Sequence, residues 1–266
     1  MTNRQFKGVV FDVDGTLFTS AYTVSERMRE TCKKLIQQGV WLSIASARPP
    51  KSVRKIGEMI GSSGPLCSLN GSLILKADGE IVSRFSIPSA TARSLTTQFA
   101  GNQRISLCIY AGDGWFISKV DRRIEIERAA VGFEPVIVND FNAIGPIEKI
   151  LLMAEPELAA SLSTFVAQEN ASVVVSRSAP EYVEITASGV DKGTGVEHAA
   201  RQVGITLPEL VVCGDGENDI SMLRNAGYGI AMAHAHANLL SVASQVVGSN
   251  NDDSLAVALQ ALFDLS

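Results

Sequence analysis

KGVVFD, residues 7–12, constrains this chain more than any other stretch. It is apolar without alternation, the pattern of a strand covered on both faces in a parallel sheet. The run ends in Asp12, and after one apolar residue come Asp14, Gly15 and Thr16. Two carboxylates beside a buried strand are costly unless a cation lies between them or the chemistry needs both.

A strand-and-helix rhythm surrounds this stretch. Thr23 and Glu26 have capping-box spacing, and Val24, Met28, Cys32, Leu35 and Ile36 recur at helical intervals up to Gly39. VWLSIA (40–45) predicts a second strand, the region from about Lys51 to Ile60 a second helix, and PLCSLNG (65–71) a third short strand of the same parallel sheet. The middle reads differently. LILKADGEIVSRF (73–85) predicts a hairpin turning at Asp78-Gly79, and RISLCIYAGDGWFISK (104–119) a second one. KILLMA, SVVVSRS and YVEITA add strands around a helix at 156–168. From Lys192 the strand-and-helix rhythm returns, with LVVCGD (210–215) as a buried strand. The expected architecture is α/β, a Rossmann-like parallel-sheet core with an inserted α+β domain. Its parts are 1–83 (core), 84–187 (insertion) and 188–266 (core), joined by short connections that could act as hinges.

Composition narrows the function. The 266 residues suffice for two domains, and a net charge of −5 argues against a nucleic-acid or anionic-membrane partner, which would need a basic face. No apolar stretch approaches the ~20 residues of a membrane helix. Cys32, Cys67, Cys108 and Cys213 are dispersed in apolar runs without metal spacing, and no leader sequence is recognised ahead of KGVVFD. Free buried thiols in a cytoplasmic protein are expected, as a monomer or small homo-oligomer.

Ligands of open α/β sheets bind beyond the carboxyl ends of the strands. Those ends here carry Asp12 and Asp14, then Ser46-Ala47-Arg48, then Asn70-Gly71, then Asp215, Glu217, Asn218 and Asp219, with Lys192 opening the helix after the insertion. If they converge, several carboxylates need a cation to stay ionised. Oxygen ligands without His or Cys select a hard ion, and Mg²⁺ is the one that pairs a few carboxylates with substrate phosphate. Lys192 and the Ser46 hydroxyl suit an anion held against it, so the residues predict a Mg²⁺-dependent phosphate site.

The same residues resemble the haloacid dehalogenase superfamily phosphatases of the Cof type, with a subfamily IIB cap. DVDGT at 12–16, IASAR at 44–48, DKG at 191–193 and GDGENDISML at 214–223 match that family's motifs in order, and NDDSLAVAL at 251–259 is similar to its closing segment. The resemblance implies Asp12 as the nucleophile forming an aspartyl-phosphate and Asp14 as the acid and base. It implies Mg²⁺ held by the Asp12 carboxylate, the Asp14 backbone carbonyl and Asp215, with Asp219 supporting the metal through water or Lys192. Ser46, Lys192, Asn218 and the backbone amides of Val13 and Ala47 would hold the phosphate, with Arg48 and Asn70 in support. The substrate would be a small phosphorylated metabolite, sugar phosphates first, and the insertion a cap that excludes water.

Competing readings stand beside this one. DVDGT lacks the later glycine and glutamate of an EF-hand, and GVDKGTG has the wrong order for a P-loop. His234 and His236 could suggest a metal but read better as a loop edge, and Trp115 reads as core. AMAHAHA departs from the family's Gly-Asn-Ala after AM. A phosphomutase of the same superfamily, or a non-catalytic phosphometabolite-binding protein, would share most of these residues.

Overall fold

The computed structural model describes residues 6–265. They divide into two compact units, one comprising everything before Arg48 with Val53–Ser83 and everything from Asp191 onward, the other Arg48–Ser52 with Arg84–Val190.

The chain begins with β1 (Gly8–Phe11), α1 (Glu26–Gln37), β2 (Trp41–Ile44), α2 (Pro50–Met59), β3 (Leu66–Ser68), β4 (Leu73–Leu75) and β5 (Ile81–Arg84). It continues through α3 (Ser89–Phe99), β6 (Ser106–Ala111), β7 (Gly114–Ile117), α4 (Arg122–Val131), β8 (Val136–Ile137), β9 (Lys149–Met153), α5 (Pro156–Glu169), β10 (Val173–Ser176) and β11 (Tyr182–Ala187). It closes with α6 (Lys192–Gln202), β12 (Leu210–Gly214), α7 (Ile220–Asn225), β13 (Tyr228–Met232), α8 (Ala237–Leu240), β14 (Gln245–Val247) and α9 (Ser254–Leu262).

In the first unit a five-stranded parallel sheet runs in the order β14-β13-β12-β1-β2. Its unbroken apolar runs serve two layers at once. Val9, Phe11, Val211 and Cys213 join a core that includes Met28, Leu35 and Leu259 from α1 and α9. Val10 and Val212 face the opposite way, toward Val196, Ala199 and Met222 of α6 and α7. That two-sided burial is why alternation is absent from the sequence. β1 lies between β2 and β12, so its carboxyl end is the point where the strand order reverses, the usual ligand position in such sheets.

Two local expectations are corrected here. β3 meets the parallel sheet through one bridge, Ala45 to Cys67, and pairs antiparallel with β4 in a separate three-stranded sheet β3-β4-β5. The cause is a reversal in which Leu69, Asn70 and Gly71 all take positive φ, sending the chain back along β3. Nor does Thr23 cap α1. Ser25 is the N-cap, and its Oγ accepts from Met28 N at 3.1 Å. The third residue after this cap is Met28 rather than an acid, so no capping box forms.

The second unit is a six-stranded sheet ordered β10-β11-β9-β6-β7-β8, antiparallel except where β7 meets β8. One face is apolar, with Ile109, Ile150, Leu152, Val183 and Ile185 packed under residues of α3 and α5. The other face carries a buried polar set. Glu127 of α4 accepts from the hydroxyls of Tyr110 and, at 2.9 Å, Tyr182, and Lys149 bonds Glu184 at 3.0 Å. Trp115 is buried against Tyr110 and Phe133, a core residue as its surroundings in sequence suggest. Among the described residues no helix is long and apolar enough to cross a membrane.

Candidate active site

Asp12 leaves β1 in extended conformation, and its N–H donates to Cys213 O at 2.9 Å, locking the end of β1 to the end of β12. A tight turn follows, in which Phe18 N–H donates back to Val13 O at 2.9 Å. The reversal pivots on Gly15, at φ +80°, where a Cβ would stand 2.4 Å from Asp215 Oδ2. Only glycine permits that conformation together with so close an approach. Thr16 in the same turn donates its hydroxyl to Asp215 Oδ1 at 3.0 Å. Thr16 belongs to the DVDGT motif, yet its motif position alone does not disclose this link.

Lys192 comes in from the other side of the site. Asp191 caps α6 by accepting from Thr194 N at 2.8 Å, which puts Lys192 in the first helical turn. A cation there opposes the helix dipole, so its placement serves something other than helix stability. Its ammonium donates to Asp12 Oδ1 at 2.5 Å and to Asp219 Oδ1 at 2.6 Å, and all three side chains are buried. The other Asp219 oxygen accepts from the N–H groups of Asp215 and Gly216 at 3.1 and 2.9 Å, so Asp219 fixes both the lysine and the GDGE loop. Ser221 accepts from Gly193 N at 3.0 Å and ties α7 to the start of α6, another contact without a motif signal.

The residues expected to face an anion form a second chain of contacts. Asn70 N–H donates to Ser46 O at 3.0 Å, and Asn218 Nδ2 donates to Asn70 Oδ1 at 3.1 Å. Gly71 brings this turn against α6, since a Cβ there would lie 2.1 Å from Asp191 O. Ser46 and Val13 are buried, and Ala47 and Asn218 partly exposed. Asp14 is exposed and outside the carboxylate cluster, and Arg48 belongs to the second compact unit. His234 Nε2 lies 3.6 Å from Asp215 Oδ2, and His236 Nε2 lies 3.3 Å from Glu217.

Oxygens of Asp12, Asp215 and Asp219 lie within 4.8 Å of one another. Burial, then the charge of Asp219, pushes the Asp12 carboxyl well above its usual range despite Lys192. Burial and Asp219 raise Asp215 in the same direction. For Lys192, burial alone would lower the ammonium, but Asp12 and Asp219 together overcome it and hold the group above its ordinary value. One lysine against three carboxylates leaves excess negative charge among oxygen donors. That donor set fits a hard divalent cation such as Mg²⁺.

The model of the haloacid dehalogenase-like hydrolases matches residues 9–259. A haloacid dehalogenase-like hydrolase from Bacteroides thetaiotaomicron is 26% identical, with a TM-score of 0.87 over 97% of this chain and 100% of that one. A Thermotoga maritima protein at 24% identity shares the fold, with a TM-score of 0.85 over 96% of this chain and 97% of that one. The 5-amino-6-(5-phospho-D-ribitylamino)uracil phosphatase YitU of Bacillus subtilis is 24% identical over 264 residues, 97% of each chain.

Proposed function

The chain belongs to the haloacid dehalogenase-like hydrolase family, and from that premise we propose that it is a Mg²⁺-dependent phosphomonoesterase of small phosphorylated metabolites, sugar phosphates foremost. The observation that carries this reading is the buried contact of Lys192 with Asp12, 2.5 Å apart at the sheet's reversal point, with Asp215 and Asp219 beside it.

Asp12 is the nucleophile. As its carboxylate oxygen bonds to phosphorus, the bond from phosphorus to the alcohol oxygen breaks, and Asp14 supplies the proton that oxygen needs. Asp14, now ionised, takes a proton from water, whose oxygen attacks the same phosphorus, releasing inorganic phosphate and restoring Asp12. Lys192, Ser46, Asn218 and the backbone amides of Val13 and Ala47 hold the phosphoryl oxygens, with Asn70 steadying Asn218. Asp12, the Asp14 carbonyl and Asp215 would hold Mg²⁺, which would supply neutralisation of the charge on those oxygens. Asp219 acts through Lys192 and the loop it caps. The reading of the substrate draws support from YitU, whose name specifies a small phosphorylated metabolite.

The test is phosphate release from sugar phosphates, nucleotides and phosphorylated cofactors, with Mg²⁺ and with EDTA, in the wild type and Asp12→Asn. Release that needs Mg²⁺ and disappears in a folded Asp12→Asn protein is expected. Release undiminished in that variant would overturn the mechanism.

A further inference from the structure

The closing segment from Asn250 to Asp253 grips the loop that follows the Asp14 turn at three points, all inside the first unit. Asn250 Nδ2 donates to Phe18 O at 2.8 Å. Asn251 exchanges two bonds with Ser20: the Ser20 N–H donates to Asn251 Oδ1 and Asn251 Nδ2 donates to Ser20 Oγ, each at 2.9 Å. Ser25 donates its hydroxyl to Asp253 while capping α1. The gripping segment is itself built firmly. The Asp252 carboxylate accepts from Ser249 N at 2.9 Å and Ser254 N at 3.0 Å, and Asp253 is held at φ +56°. A non-glycine residue stays in that region only where its surroundings hold it there.

These contacts bear unequally on the two aspartates. Asp12 is fixed by strand pairing to Cys213 and by Lys192. Asp14 sits beyond the sheet, in a turn closed by the Phe18 N–H bond to Val13 O. Asn250 holds the carbonyl of that same Phe18. Releasing it removes one hold on the backbone of the last residue of the turn carrying Asp14, whose ring stays in the core, and leaves the sheet and the carboxylate cluster in place.

We propose that Asn250 is a positioning residue for Asp14, setting where its carboxyl delivers a proton to the leaving oxygen. This rests on the assignment of Asp14 as the proton donor under the proposed function. When that proton is misplaced, substrates with poor leaving groups suffer and those with good ones do not. Phenyl phosphate needs protonation as its phosphorus–oxygen bond breaks, and para-nitrophenyl phosphate needs it far less.

The experiment measures kcat/KM for these two substrates with Mg²⁺ and the full chain. That parameter covers steps through formation of the phosphoenzyme, so the later hydrolysis, common to both substrates, does not mask the difference. Asn250→Asp keeps the size of the side chain and removes the N–H donor. It should lower kcat/KM about 10-fold for phenyl phosphate and less than about 2-fold for para-nitrophenyl phosphate, as a small displacement of a catalytic group would. Asn250→Ala gives the same comparison without an added charge, should the Asp variant fail to fold. Equal losses on both substrates, or none, would overturn the proposal, because a purely structural role moves both alike. Asp14→Asn separates the premise from the inference. If Asp14→Asn discriminates between the substrates and the Asn250 variants do not, the inference alone fails. If Asp14→Asn affects both equally, Asp14 is not the donor, and the inference falls with that reading.

Discussion

Lys192 Nζ and Asp12 Oδ1 meet at 2.5 Å across 180 residues of chain, the lysine side chain 1% and the aspartate side chain 8% exposed. The same ammonium holds Asp219, so it is shared between two buried carboxylates. Lys192→Met leaves both without their cation. Removing one member of a buried ionic cluster costs about 3–5 kcal/mol, because the remaining charge is uncompensated. Urea unfolding of the metal-free variant should show a loss of that order, shrinking in acid as the carboxylates protonate. Phosphate release should fall at least ~100-fold, the scale of losing a group that meets charge developing in the transition state. A variant with wild-type turnover would remove Lys192 from the phosphate site.

The four cysteines are buried. Burial pushes the Cys32 and Cys67 thiols up to about 12, and Cys108 and Cys213 higher still. A thiol with so little thiolate at neutral pH is a poor nucleophile. Thiol-directed reagents should therefore leave phosphatase activity untouched and label the native chain only as fast as it opens, whereas denaturant should expose all four at once. Rapid loss of activity on treatment would show that one of them is accessible near the site.

The parallel core was legible because KGVVFD and LVVCGD are buried on two faces, a requirement that leaves a direct trace in composition. The convergence of Asp12, Asp215, Asp219 and Lys192 was legible for a related reason, since strand ends of one sheet share one edge. The departure of β3 from that sheet was not. It depends on Leu69 at φ +52° and Asn70 at φ +55°, and nothing about a leucine announces a left-handed conformation. Ser25 prevailed over Thr23 as the cap because it also bonds Asp253, 228 residues away, a contact no local pattern contains. Helix α4 escaped notice because one of its inward positions is Glu127, whose partners Tyr110 and Tyr182 lie on distant strands.

The polar face of the second unit makes its own demand. Lys149 and Glu184 are each 3% exposed and bonded at 3.0 Å, with the lysine 5.1 Å from the Tyr110 ring centre. Lys149→Met removes the buried cation bonded to Glu184 and should destabilise the protein by about 3–5 kcal/mol, whereas the double change Lys149→Met with Glu184→Leu should recover much of that. Thermal unfolding of the three proteins measures the coupling. A double variant as unstable as the single one would mean that Glu184 is adequately held by Ser178, which donates to it at 3.0 Å.

Stability without metal should vary with pH in a direction set by the clustered carboxylates. Asp12 and Asp215 are raised above their unfolded values, principally by burial. Groups raised in the folded state stabilise below the unfolded carboxylate range, near pH 4, and that stabilisation is lost as pH climbs through the folded values. Lys192 is also raised, but its contribution is lost only in alkali, so it is constant across this window. Glu209, held at about 2 chiefly by Lys7, works in the opposite sense, and its gain is complete once the unfolded glutamate has ionised. In EDTA, the thermal midpoint should therefore fall from about pH 5 to about pH 8. On the proposed assignment Mg²⁺ is held by the ionised cluster, and adding it should reverse the trend, raising the midpoint more at the higher pH. Asp215→Asn should flatten the EDTA profile and reduce the Mg²⁺ increment together. An increment that is the same at both pH values, or unaffected in Asp215→Asn, would place the metal away from these carboxylates.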